Sequence, residues 1–257
     1  MTPLTALLVF GIGGLALGSI PFALLLGKLG GIDVRTVGSK NVGATNLGRA
    51  LGFKWFFACF VLDAAKGAIA TVGFGLAAGF LGRASLDLDA GQAWAWLVVS
   101  AAPVLGHMFS PWVGFKGGKG VATGLGALAG VFPILTLPAA GSLFVFLVVL
   151  GLWRYVGLAS VVAAGVLPMW TWFFYSLLLT EREKAAADSG PVDVFSTVPV
   201  GVDEPVRWPF VVLTVALAAI VIWKHRGNLQ RLAAGTEPKV GQPKAGNPDA
   251  PTSVEAS

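Results

Sequence analysis

One cysteine, Cys59, and two histidines, His107 and His225, are too few to build a disulfide scaffold or a Cys/His metal centre. No metal and no cofactor are therefore expected. Charge is scarce as well. Only 12% of residues are Asp, Glu, Lys or Arg, about half the share in soluble domains, which excludes an ordinary water-soluble fold. The first apolar run, residues 4–27, has no positive leader and carries Lys28 at its far end, the wrong polarity for a cleaved signal peptide. It reads as a retained first helix. A net charge of +5 raises the question of nucleic acid, but the distribution of the basic residues speaks instead for membrane topology, and no nucleic-acid partner is expected.

What the chain has in abundance is apolar sequence: 55% of residues are hydrophobic, and a bilayer-crossing helix needs about 20 of them in a row. After the first run comes a polar, glycine-rich connection to about residue 52, with Asp33 as its one acid. A second run covers residues 55–80, a short loop holds Arg83, Asp87 and Asp89, and a third run covers residues 94–112. The apolar stretch 121–153 would make a helix of about 50 Å, against a hydrocarbon core of about 30 Å. With Pro133 and Pro138 near its middle, it reads better as two short spans. Runs at 156–179 and 208–223 complete the set.

The expected fold is an all-α membrane protein of about seven transmembrane helices, some short, with its N-terminus outside and its C-terminus cytoplasmic. On that layout 13 of the 18 Lys and Arg residues fall on the cytoplasmic side, while Arg83, Arg182, Lys184 and Arg207 lie outside. The outer loop 180–207 is acidic, with Glu181, Glu183, Asp188, Asp193, Asp203 and Glu204. Trp55, Trp94, Trp96, Trp112, Trp153, Trp208 and Trp223 stand near expected span ends, where indole rings favour the interface. Residues 1–237 are expected to form one integral-membrane domain, and the Pro/Gly/Ala/Ser-rich segment 238–257 a disordered tail.

Three polar clusters interrupt this apolar chain, and the layout puts all of them on the cytoplasmic face. The second is the most compact: Gly114, Phe115, Lys116, Gly117, Gly118, Lys119, Gly120, Val121, Ala122 and Thr123. Glycines let a turn present bare N–H groups as an anion-binding concavity, and lysines add charge around it. The spacing is not that of a P-loop, because Gly120 follows Lys119 where Ser or Thr would be needed. The alternative is a tight cytoplasmic turn with topology-setting lysines.

The first cluster, residues 38–49, contains Ser39, Lys40, Asn41, Thr45, Asn46 and Arg49. A helix cap needs one Ser, Thr or Asn, not four, and a helix start with an arginine suits a phosphate. The third contains His225, Asn228 and Arg231 at steps of three, hence on one helical face if this part is helical, with Glu237 beyond; taken alone, a basic end to a last span reads as a topology anchor. Within the second span, Asp63 and Lys66 stand three apart and read as a structural pair, because pairing lowers the cost of charge in the bilayer.

Together these segments resemble the bacterial acyl-phosphate-dependent glycerol-3-phosphate acyltransferases of the membrane. Residues 38–49 match GSxNxGATNxxR, 114–123 match GFKGGKGVAT and 225–237 match HRxNxxRLxxGxE, and the run Gly18, Ser19, Ile20, Pro21, Phe22 also fits. One departure is Lys40, where the family usually has glycine.

The resemblance implies transfer of a fatty acyl group from acyl phosphate to the 1-hydroxyl of glycerol 3-phosphate, giving lysophosphatidic acid and phosphate. It implies a multi-pass protein of the bacterial plasma membrane with its site facing the cytoplasm, whose partners are the two substrates and the lipid bilayer. Ser39, Arg49, Lys119, His225 and Asn228 are its expected catalytic residues. Asn41, Thr45, Asn46, Lys116, Gly117, Gly118, Gly120, Thr123, Arg231 and Glu237 are its expected substrate and phosphate ligands. For the base, three options stand: His225, His107, or a substrate phosphate, the last favoured by the resemblance. The competing class is a transporter of an organic phosphate, which would place polar groups at the midplane and on both sides.

Overall fold

The computed structural model describes residues 2–82, 88–188 and 206–241, with residues 3, 178, 179 and 181–188 described by their backbone. Among the described residues there are ten α-helices and no strand: α1 Pro3–Ser19, α2 Phe22–Leu29, α3 Ala44–Leu51, α4 Phe53–Ala77, α5 Ala90–Met108, α6 Val121–Gly130, α7 Thr136–Trp153, α8 Val156–Asp188, α9 Trp208–Lys224 and α10 Arg226–Ala233. Arg83, Asp87, Asp193, Asp203 and Glu204 of the expected outer loops, and tail residues 242–257, lie outside the described residues.

Every apolar run is helical. Five stretches (Leu4–Leu29, Phe53–Ala77, Ala90–Val113, Thr136–Trp153 and Val156–Leu177) are long and apolar enough to cross a membrane, and α9 with α10, bent by 52°, makes a possible sixth. The expected division of 121–153 is present, with the break at residues 131–135 around Pro133. Pro138 sits in the first turn of α7, where its missing N–H costs nothing. The ten residues of α6 cover about 15 Å, half of a hydrocarbon core, so α6 cannot cross alone.

Two expectations are corrected. The first span is not one continuous helix: α1 stops at Ser19 and α2 begins at Phe22, because a residue before proline is driven out of the helical region, as Ile20 is with ψ 118°. Trp96 is not at an interface. It is fully buried among Phe74, Phe80 and Leu97, and its Nε1 donates to the Thr71 carbonyl at 3.0 Å. Trp94, Trp112, Trp153, Trp208 and Trp223 are exposed, as interface residues should be.

Helix α4 is the central post, packed against α1, α3, α5 and α6, while α7, α8 and α9 form a second group. Between α4 and α6 the backbones meet through Gly67 against the Thr123 carbonyl and Gly126 against the Ala64 carbonyl, with no room for a β-carbon at either. Membrane helices associate by this kind of small-residue contact, since lipid tails are as apolar as leucine. The outward faces carry Leu8, Ile12, Ile69, Phe144, Leu147 and Met169, all more than half exposed, as a lipid-facing surface requires.

Lys40 has φ +56°, the left-handed region that glycine enters freely. Glycine would meet that backbone need freely, whereas lysine meets it at a cost of about 1–2 kcal/mol. Lys40→Gly is expected to raise the thermal midpoint in detergent micelles by about 2 °C or more. An unchanged or lower midpoint, read by tryptophan fluorescence, would contradict this.

Candidate active site

The chain turns at His225, and α10 carries Asn228 and Arg231 on one face. Past Ala234 the backbone doubles back, so that the amides of Thr236 and Glu237 both donate to the Arg231 carbonyl, at 2.8 and 3.1 Å. That turn drives the Glu237 carboxylate against α10. Asn228 Nδ2 donates to Oε1 and Arg231 Nε to Oε2, each at 2.7 Å, and Glu237 is buried. The strap runs on. Arg49 Nη2 donates to the Pro238 carbonyl at 3.1 Å, the Val240 amide donates to the Arg154 carbonyl at 2.8 Å, and the Arg154 guanidinium donates back to the Val240 carbonyl at 2.6 Å. Residues 238–241, assigned to the tail from sequence, are therefore held in place.

The Gly-Lys segment approaches the same point from α5. Gly114 and Phe115 turn the chain with φ +63° and +60°, and the Lys116 amide donates to Val113. After that, among the described residues, the amides of Gly117, Gly118, Lys119 and Gly120 donate to no protein acceptor. Gly120 precedes α6, whose first turn has no side-chain cap, so the row of open N–H groups continues into the helix. Gly117 and Gly118 press on the His107 carbonyl and ring and on the Val42 carbonyl, leaving no space for side chains. Lys119 Nζ donates to Asn228 Oδ1, which joins the second cluster to the third.

The first cluster joins through its backbone and through Arg49. Helix α3 carries Arg49 in its last turn, and the Val42 carbonyl lies against Gly118. Asn46, expected as a phosphate ligand, is buried and committed elsewhere. Its Oδ1 accepts from the Ser39 amide at 2.9 Å, and its Nδ2 donates to the carbonyls of Val34, Val37 and Asn41 at 2.9–3.1 Å. It shapes the loop and has no polar atom left for a ligand. Ser39 presents an exposed side chain, Asn41 and Thr45 are half-buried beside it, and Lys116 is exposed without a described contact to the cluster. Two site atoms, Arg49 Nε and Thr123 Oγ1, are buried with no partner among the described residues.

Three cations thus share a small volume. Burial pushes Lys119 down to about 8, helped by the charges of Arg231 and Arg49 and opposed by Glu237. Arg49 is lowered by burial and by Arg231, again against Glu237. Burial, then Lys119, pushes His225 down to about 4. Its Nδ1 lies 2.8 Å from the Val221 carbonyl, an acceptor only, so the proton of the neutral ring sits on Nδ1 and Nε2 is bare.

A second polar group is buried beside the glycine turn. The expected Asp63–Lys66 pair is present at 2.8 Å, but it is not isolated: Lys66 Nζ also lies 2.9 Å from His107 Nδ1 and donates to the Ile20 carbonyl at 2.9 Å. Only the i, i+3 spacing of Asp63 and Lys66 was visible in the sequence. The helix break before Pro21 leaves the Ile20 carbonyl within reach of Lys66.

A family model described as glycerol-3-phosphate acyltransferase matches residues 8–235. The chain belongs to that family. As an acyltransferase it is 39% identical to a glycerol-3-phosphate acyltransferase of Trichlorobacter lovleyi over 92% of this chain and 98% of that one. It is 40% identical to one from Thermosynechococcus vestitus over 88% and 90%. Its structure is similar to the crystal structure of PlsY, an integral membrane glycerol 3-phosphate acyltransferase, in the glycerol 3-phosphate form, with TM-score 0.67, 33% identity and coverage of 91% and 96%. The lysophosphatidic acid form of PlsY gives TM-score 0.65 at 32% identity, covering 91% and 95%. Family membership decides against the organic-phosphate transporter and makes this protein an integral-membrane enzyme.

In the acyltransferase, Glu237 is the anion that balances the cations. Glu237→Ala is expected to cost about 2 kcal/mol, the scale of hydrogen bonds to charged groups. That would lower the thermal midpoint by about 4 °C or more. Arg226→Ala, which removes an exposed guanidinium lying over Trp223, serves as the control with little change. Equal midpoints for the two variants would show that Glu237 does not hold the strap.

Proposed function

We propose that this acyltransferase takes its acyl group from acyl phosphate and places it on the 1-hydroxyl of glycerol 3-phosphate, yielding lysophosphatidic acid and inorganic phosphate. The observation that carries the reading is the open row of amides at Gly117, Gly118, Lys119 and Gly120, set beside Lys119 and Arg49. Two phosphate-bearing substrates repel each other, and that repulsion must be offset by donors and cations fixed before the substrates arrive. The similarity to PlsY in its glycerol 3-phosphate and lysophosphatidic acid forms supports the acceptor and the product.

In this reading the second cluster holds the acyl phosphate: the amides of Gly117, Gly118 and Gly120 bind its oxygens, Lys119 adds charge, and Thr123 and Lys116 lie at the margins. Arg49, Ser39, Asn41 and Thr45 hold glycerol 3-phosphate with His225 and Asn228, while Arg231 and Glu237 set their geometry. The acyl chain enters an apolar cavity of about 110 Å³ that begins at Gly120 and is walled by Val104, Leu125, Leu143, Leu217 and Val221. The acceptor oxygen attacks the acyl carbon, the carbon–oxygen bond to phosphate breaks, and phosphate departs. His225, held down to about 4, is a poor base at neutral pH. A phosphate oxygen, with its second pKa at about 6, is better matched to take the hydroxyl proton.

The seven apolar segments are read as seven crossings, short α6 completing its own together with residues 131–135, with the N-terminus outside and the site at the cytoplasmic face of the plasma membrane, as one domain extending to residue 241. The excess of basic residues on that side supports it.

Purified protein given palmitoyl phosphate and glycerol 3-phosphate is expected to release phosphate and form lysophosphatidic acid; release of phosphate without acyl product would sink the proposal. Lys119→Ala and Arg49→Ala should each lower turnover by about 100-fold or more while inserting normally. The Lys119 cation is present below pH of about 8 and lost above it, so kcat/KM should fall as pH rises through that value. In Lys119→Arg the alkaline fall should vanish, since guanidinium stays charged. A reporter fused at Ser257 should score as cytoplasmic.

A further inference from the structure

The chain's two histidines are held in opposite tautomers, and the difference assigns a role to His107. Lys66, paired with Asp63 at 2.8 Å, is an ammonium with protons to give and no lone pair to offer. His107 Nδ1 has two polar neighbours, Lys66 Nζ at 2.9 Å and Asp63 Oδ1 at 3.5 Å; the short contact is the one to the ammonium, so Nδ1 is the acceptor. The single proton of the neutral ring then sits on Nε2. At His225 the Val221 carbonyl imposes the reverse arrangement.

The Nε2 edge of His107 faces Gly118, where a β-carbon would collide with it and with the Val42 carbonyl. A small cavity lies there, lined by Ser19, Val42, His107, Ser110, Gly117 and Gly118 among others. Its other side-chain donors are occupied, Ser19 Oγ donating to the Ala16 carbonyl at 2.7 Å and Ser110 Oγ to the Ser19 carbonyl at 2.5 Å. Among the described side chains lining this cavity, His107 alone carries a polar proton not given to another protein atom.

We propose that His107 Nε2–H, with the adjacent Gly117 and Gly118 amides, binds an oxygen of the acyl donor's phosphate–carbonyl head. Lys66 is a positioning residue that fixes the ring as a donor there. The proposal rests on the acyl-transfer reading above and deepens it. It also removes His107 from the candidates for general base, since its outward nitrogen already holds a proton.

The full chain labelled with ¹⁵N-histidine in micelles contains two imidazoles, and correlation of ring nitrogens with ring protons reads each tautomer directly. The expected spectrum has one Nε2–H ring and one Nδ1–H ring, and in His225→Gln the Nδ1–H ring disappears. Saturating palmitoyl phosphate should shift the Nε2 resonance of His107, and glycerol 3-phosphate alone should not. Finding His107 as the Nδ1–H tautomer or as imidazolium, or unmoved by the acyl donor, would overturn the proposal.

In kinetics, His107→Phe should raise the KM for palmitoyl phosphate about tenfold or more, with KM for glycerol 3-phosphate unchanged. His107→Gln, which retains a donor near Nε2, should recover most of the loss, and Lys66→Met should reproduce the Phe phenotype. Should these variants fail to fold, the spectrum and titration of the unaltered protein decide. An unaltered enzyme that does not turn over palmitoyl phosphate refutes the acyl-phosphate reading and the proposed ligand with it. The tautomer spectrum would then still show separately whether Lys66 fixes the ring.

Discussion

Like charges held close together are the constraint from which the rest of this site follows. Arg49, Lys119 and Arg231 come from α3, the glycine turn and α10, and left alone they would drive those elements apart. Glu237 answers two of them electrostatically while bonding Arg231, and Asn228 bridges Lys119 to that carboxylate. Even so, the cations are not fully neutralised: three of them face one carboxylate, and burial makes Lys119 and Arg49 hold their protons less tightly than usual. An arrangement that remains short of negative charge after its own acid is counted is a receptor for anions.

The bilayer explains where this receptor sits. Helices α1, α4, α5, α7 and α8 turn apolar faces outward, and their packing relies on small residues meeting backbone, as at Gly67 and Gly126. Short α6 begins at the glycine turn and so lays an uncapped helix start beside the cations, with an apolar cavity alongside. A polar head and a fatty tail can thus be served from one spot. Buried Asp63 and Lys66 fit the same logic: each is tolerable in a span because it has the other, and their meeting point is the C-terminal end of α5 at His107.

Much of this was legible before any coordinates. The apolar runs place the helices, Pro133 marks the division between α6 and α7, and the three polar clusters do converge through Lys119–Asn228, Arg49–Pro238 and Val42–Gly118. What could not be read depends on contacts between distant parts of the chain. Asn46 looks like a ligand from composition alone, and only the path of residues 34–41 around it reveals that its amide is consumed. His107 lies 41 residues from Lys66, so their contact leaves no periodic trace. The strap beyond Glu237 reads as tail because its hold comes from Arg49 and Arg154 rather than from any pattern of its own.

The Arg154–Val240 clasp has a bearing on how the molecule is made. Its two halves are separated by 86 residues, and the half that carries Glu237 leaves the ribosome after every helix that it closes upon. A nascent chain inserted as far as α10 therefore holds Arg49, Lys119 and Arg231 without their counter-ion, and the cluster is balanced only once the strap carrying Glu237 has followed.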